Sequence, residues 1–136
     1  MKISINDKRK IFAVQEAFTK TFPYLKLEFF AKSHKPGGGT SKKFIKHHSK
    51  TLGDCRTVHN SGSITITGNM TVGELEQRFG DVYGLGVQVF RKSGKLWLET
   101  TVTDNWTLER QNKEGESLSA YLEKNKTKRE ESQALD

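Results

Sequence analysis

At 136 residues the chain has room for one domain, or one domain with a tail. With 33% hydrophobic and 29% charged residues it is less apolar than an average globular chain, so its core is expected to share the chain with solvated segments. Lys plus Arg outnumber Asp plus Glu by 23 to 16, and Cys55 is the single cysteine, which excludes a disulfide framework within the chain and a four-cysteine zinc site. No apolar run approaches the roughly 18 residues of a membrane span and residues 1–7 lack the apolar stretch of a signal peptide, so a cytoplasmic protein with no membrane partner is the expectation.

The clearest pattern is an internal repeat: residues 3–35 recur at 64–95, with an offset of 61 that shortens to 60 near Pro23. Ile3 matches Ile64, Ile5 matches Ile66, Phe18 matches Phe79, Leu25 matches Leu85, Phe30 matches Phe90, and Lys32, Ser33 and Lys35 match Lys92, Ser93 and Lys95. Five further apolar positions are similar. Shared order, spacing and a terminal Lys-Ser-x-Lys together indicate a duplication, with repeat one at 2–35 and repeat two at 63–95.

Taken in chain order, each copy predicts strand, helix, strand. Ile3-Ser4-Ile5 alternates as a half-buried strand does. Ile11, Val14, Phe18 and Phe22 then trace one face of a helix, with Asn6 or Asp7 as its cap and Pro23 as its stop. A strand is predicted over 24–31. In the second copy Ile64-Thr65-Ile66 is the strand, Val72, Leu75, Phe79 and Tyr83 the helical face, Thr71 to Glu74 a capping box, Gly84 the stop and 86–92 the next strand. The Ser93-Gly94 turn leads into an alternating hairpin strand over 95–102. A short helical turn from Trp106 to Gln111, closing near Gly115, ends a single α+β domain at 1–115, and residues 116–136 form a polar, largely disordered tail. Two βαβ repeats in tandem imply a two-layer α+β sandwich, ferredoxin-like or related, with its helices on one face of the sheet.

The positive charge is concentrated in the connection between the copies, residues 32–58. Residues 29–53 hold Lys32, Lys35, Lys42, Lys43, Lys46 and Lys50 and no Asp or Glu, with His34, His47 and His48 among them. Its Pro-Gly-Gly-Gly-Thr-Ser middle, residues 36–41, has the composition of a flexible loop. Such a loop can follow an anionic backbone, each neutralised phosphate adding roughly 0.7 to 0.9 to the salt slope; it can equally be a solvated connector. The order of residues is wrong for a phosphate-binding GxxxxGK[ST] loop, and an ATP site is not expected.

Strand alternation also predicts what the second face of the sheet carries. With Leu25, Leu27, Phe29, Val87 and Val89 turned to the helices, and Leu96 and Leu98 with them, Lys26, Phe30, Phe90, Lys92 and Trp97 share the opposite face. Aromatics among lysines can stack bases while gripping phosphates, as the sheets of RNA-recognition motifs do, although no RNP1-type run is present. The competing expectation is that this face is covered, by the Leu118, Tyr121, Leu122 segment, by the connection with Phe44 and Ile45, or by a second subunit.

His47, His48, Cys55 and His59 have ligand types suited to zinc but not the paired, regular spacing of structural sites, and their lysine-rich surroundings oppose a divalent cation. Cys55 with His59 as base is a conceivable nucleophile, its thiol pKa lowered by positive neighbours. No triad, dinucleotide fingerprint or carboxylate pair stands out, and no metal or cofactor is expected. The sequence therefore points to a binding module more than to an enzyme: a nucleic-acid or other polyanion binder using Lys26, Lys32, Lys35, Lys42, Lys43, Lys46, Lys50 and Lys92 with Phe30, Phe90 and Trp97. The alternative is a protein-interaction or homodimeric assembly domain working through the same outer face.

Overall fold

The computed structural model describes residues 1–31 and 42–134, with side chains through residue 126. Its elements run β1 (Lys2–Ile5), α1 (Ile11–Thr21), β2 (Leu25–Phe30), a 3-10 turn (Gly53–Cys55), β3 (Gly62–Thr65), α2 (Val72–Tyr83), β4 (Gly86–Ser93), β5 (Leu96–Glu99) and α3 (Leu108–Ala134). The chain is α+β, with three helices and two antiparallel sheets, one ordered β1-β3 and the other β2-β4-β5.

One core serves both sheets. Ile3, Ile5, Ile64 and Ile66 meet the apolar stripes of α1 (Ile11, Val14, Phe18) and α2 (Val72, Leu75, Phe79), and Leu25, Leu27, Phe29, Val87 and Val89 close it from the three-stranded sheet. Phe29 meets Phe79 edge-to-face at a centroid distance of 6.2 Å, the arrangement that brings a ring's positive edge to a negative face. Each apolar pair matched in the sequence is buried at both of its positions except Phe30 and Phe90, which are both half-buried.

Strand pairing departs from the ferredoxin-like expectation. That arrangement is a single four-stranded sheet with the second strand of each unit at an edge; here the first strands pair with each other and the second strands with each other. Ile3 lies opposite its match Ile64 in one sheet, and Glu28 opposite Gln88 in the other. The outer edge of each second strand is taken: β5 pairs along β4, while on β2 the Ile45 amide donates to the Phe29 carbonyl at 2.8 Å and Phe44 bridges Phe30. The sheet is therefore flanked on both sides before β1 or β3 can join it.

The helix starts also differ from the sequence reading. Neither Asn6 nor Asp7 caps α1: the cap position is Lys10, without a side-chain bond, and the first amides donate to carbonyls of the connection, Ile11 to Lys50 (3.0 Å) and Phe12 to His48 (3.1 Å). On α2 the Thr71 hydroxyl accepts from the Glu74 amide at 3.1 Å as expected, and the amides of Val72 and Gly73 donate to Trp106 and Asp104 carbonyls. Both starts are built alike. Lys10 bridges Thr51 and Thr71 bridges Thr107, and the amides of the fully buried Leu52 and Leu108 donate to the carbonyls of Arg9 and Met70, each at 2.8 Å.

Asp7 is instead the partner of Arg56. The Arg56 guanidinium, with no exposed surface, donates to the Asp7 carboxylate from Nε and Nη2 (3.0 and 2.8 Å) and from Nη1 to the carbonyls of Asn60 and Tyr83. It ties the connection to the end of β1 and to the last turn of α2. Hydrogen bonds from His59 and Arg56 hold the Asp7 carboxyl below its ordinary range.

The helix at the C-terminal end does not close near Gly115; it runs to Ala134. Gly115 is there for close approach. A Cβ at this position would lie 2.9 Å from the Tyr24 Cβ and 3.2 Å from the Arg91 Cγ, so α3 packs on the sheet with no side chain between them. Gln111 accepts from Arg91 at 2.7 Å and Asn112 accepts from the Tyr24 amide at 2.8 Å, which fixes the helix to β4 and to the start of β2.

Candidate nucleic-acid interface

The outer face of the three-stranded sheet follows from strand alternation and register. Lys26 lies opposite Phe90, Glu28 opposite Gln88, Phe30 opposite Gly86 and Lys92 opposite Trp97. The structure thus brings Lys26, Phe30, Phe90, Lys92 and Trp97 to one face, each half-buried. The expected inward positions of β5 are another matter: Leu98 lies opposite Arg91 and Leu96 opposite Ser93, yet Leu96 is 67% and Leu98 41% exposed, because the helices leave this edge strand uncovered.

Phe44, brought in by its bridge to Phe30, makes the aromatics contiguous. Its ring stands between those of Phe30 (centroids 6.0 Å, edge-on) and Phe90 (5.5 Å, edge-on), and it remains half-buried itself. The connection is therefore a partial cover of this face and adds a fourth aromatic side chain to it. Leu118, Tyr121 and Leu122 do not close it: α3 meets the sheet at Tyr24, Arg91 and Gly94, away from the Phe30, Phe44, Phe90 row.

Two ammonium groups lie over the rings. Lys26 Nζ is 5.4 Å from the Phe90 centroid and 5.0 Å from that of Trp97, and Lys42 Nζ is 5.4 Å from that of Phe30, within cation–π range. Lys42 also donates to the Oε1 of Gln88, an outer-face residue 1% exposed beneath it. Acid is present too: Lys26 pairs with Glu28 at 3.4 Å, and Glu28 is 3.4 Å from the His48 Nε2. Lys43 and Lys46 are exposed on either side of Phe44 in the chain. Lys50 is exposed further along, where its carbonyl caps α1, and does not join this face. Lys32 and Lys35, with His34 and the Gly-rich stretch at 36–41, lie outside the described residues.

Beside the face, Glu76 of α2 accepts from the Val89 amide at 3.1 Å, at the point where β5 ends. Burial pushes its carboxyl above the ordinary range, against the pull of that hydrogen bond and of Lys42. The cysteine and histidines are dispersed: Cys55 Sγ donates to the Thr51 carbonyl, His59 Nδ1 sits 2.9 Å from Asp7, and His48 is by Glu28. The Cys55 thiol is raised, by burial and then by Asp54, where positive neighbours were expected to lower it. Among the described residues no three His, Cys, Asp or Glu side chains converge, and no helix is long and apolar enough to cross a membrane.

The sequence reading named Phe44 with Ile45 as a possible cover of the face, not as one of its stacking rings, and missed Arg56 as an anchor. The bridge that carries Phe44 joins residues 14 apart across the connection, so no local periodicity reports it. A signal for the anchored stretch did exist: Thr51-Leu52 and Thr107-Leu108 are the same dipeptide at equivalent places beyond each second strand. No family model, no curated protein and no solved structure matches this chain.

Proposed function

We propose that the chain is a non-enzymatic module that binds single-stranded nucleic acid on the outer face of its three-stranded sheet. The observation that carries this reading is the contiguous row of Phe30, Phe44 and Phe90, with Trp97 across β4, beneath the ammonium groups of Lys26 and Lys42. Ring faces accept any base by stacking, worth about 1 to 3 kcal/mol per base, and lysines along the row neutralise the backbone, so the chemistry favours unpaired strands without strict sequence preference. Lys42, Lys43 and Lys46 border the row on the connection and Lys92 borders Trp97, which extends the cationic track.

Two tandem copies account for how the face arises. Equal burial of the matched pairs, the opposition of Ile3 to Ile64 and Glu28 to Gln88, and the like-built helix starts support a duplication whose second strands lie together, so that Phe30 and Phe90 present the same position of each copy. The test is fluorescence anisotropy of a labelled single-stranded oligonucleotide against salt. Binding is expected to weaken with a log–log slope of about −3, that of four lysine contacts at roughly 0.7 each. Lys26→Glu with Lys42→Glu should lower affinity at least tenfold while the fold persists by circular dichroism. Absence of binding at low salt, or unchanged affinity in the double variant, rejects the proposal.

A further inference from the structure

β5 is an edge strand. In the order β2-β4-β5 no described strand lies beyond it, and it has neither a proline nor an inward-pointing charge to blunt that edge. The Thr100 amide donates to the Val89 carbonyl, which fixes the alternation along the hairpin: Leu98 and Leu96 turn their backbone groups to β4, while Trp97 and Glu99 turn theirs to the open side. Leu96 and Leu98, on the other side of the pleat from Trp97, are both among the exposed large apolar side chains of the described residues.

The stretch Lys95-Leu96-Trp97-Leu98-Glu99 is complementary to itself when run antiparallel. Placed against a second copy with a twofold axis at Trp97, it sets Trp97 opposite Trp97, Leu96 opposite Leu98 and Lys95 opposite Glu99, the last two pairs occurring twice. Lys95 occupies the two-residue turn that Gly94 opens at φ 63°, and is exposed, as is Glu99. A register shifted by one residue in either direction puts leucine beside a charge or tryptophan beside leucine and loses both ion pairs.

From this complementarity we infer that two copies of the chain associate through β5, antiparallel and in that register, into one continuous six-stranded sheet. The exposed leucines cover one another on one side. On the other, the two aromatic faces meet at the paired tryptophans, which doubles the length of the surface. The association itself stands apart from the nucleic-acid reading and is measured without nucleic acid.

Sedimentation velocity of the full chain over a range of concentrations tests it. The wild type is expected to shift from monomer to twice that mass. Lys95→Glu and Glu99→Lys, each of which sets like charges opposite one another in both places, should each weaken the dimer about tenfold, as expected for cross-strand charge pairs. The double variant K95E/E99K restores opposite charges and should recover the wild-type dissociation constant. A wild type that stays monomeric at every concentration overturns the inference, as does a double variant no tighter than the single ones. All three variants lie on exposed turn and edge positions, and circular dichroism checks that each is folded.

Discussion

The two faces of the three-stranded sheet are built from the same three strands and both carry large apolar side chains, yet they end in different states. On the inner face Leu25, Leu27, Phe29, Val87 and Val89 are at most 3% exposed, closed by α1 and α2. On the outer face Phe30, Phe44, Phe90 and Trp97 are half-buried, the three phenylalanines against one another and the ammonium groups of Lys26 and Lys42 over Phe30, Phe90 and Trp97. What separates them is the element that arrives. A helix brings a full turn of apolar side chains every few residues, whereas the connection brings a single ring at a single bridge. On the proposed reading, apolar rings left partly open beneath cations are a surface for a ligand, not a failed core.

The sharpest way to break this comparison is to truncate one phenylalanine on each face. Phe29→Ala removes a fully buried ring that packs on Phe79 and should cost about 3 to 5 kcal/mol, whereas Phe90→Ala, half-exposed, should cost about 1 to 2 kcal/mol, both read from urea unfolding midpoints. Equal losses would mean that the outer face is as much a core as the inner one.

A smaller effect sits at the seam between the faces. Because burial raises the Glu76 carboxyl, the folded chain holds that proton more tightly than the unfolded chain, whose carboxyl titrates near the ordinary 4.5. The stability so gained is fully present below that value and is lost as the pH rises through the raised one. Glu76→Gln keeps an oxygen for the Val89 amide and does not titrate. Its stability relative to wild type should therefore improve between pH 4 and pH 7 in denaturant titrations; a constant difference would show that the carboxyl is not perturbed.

The parts of this fold that were legible in the sequence are those set by spacing along the chain. The apolar positions of both helices and both inner strands were readable, as was the outward side of Phe30, Phe90 and Trp97, because periods of 3.6 and 2 decide which side chains share a face. Partners were not. The same alternation satisfies any sheet order, so nothing in Ile3-Ser4-Ile5 says that it lies beside Ile64 instead of beside a second strand. Asp7 looked like a helix cap because its distant partner Arg56 leaves no trace in the local sequence. Gly115 looked like a stop because the close approach of Tyr24 and Arg91 that requires a glycine there comes from residues far away in the chain. At the candidate face, the outward side of Lys26, Lys92 and three of the four aromatics was readable; Lys50, grouped with them in the sequence, lies elsewhere, and Phe44 was foreseen as part of a cover but not as a ring of the row.

The most direct test of the aromatic face as a stacking surface is the emission of Trp97 itself. Trp106, whose ring carries the guanidinium groups of Arg91 and Arg110 within cation–π range, is the other tryptophan, and Trp106→Phe leaves Trp97 as the sole reporter. Titrating this variant at low salt with an unlabelled single-stranded oligonucleotide is predicted to quench the Trp97 emission to saturation, at the concentration where anisotropy reports binding, and added salt should restore it. Binding seen by anisotropy with the Trp97 emission unchanged would contradict the account, because the nucleic acid would then be held somewhere else on the chain.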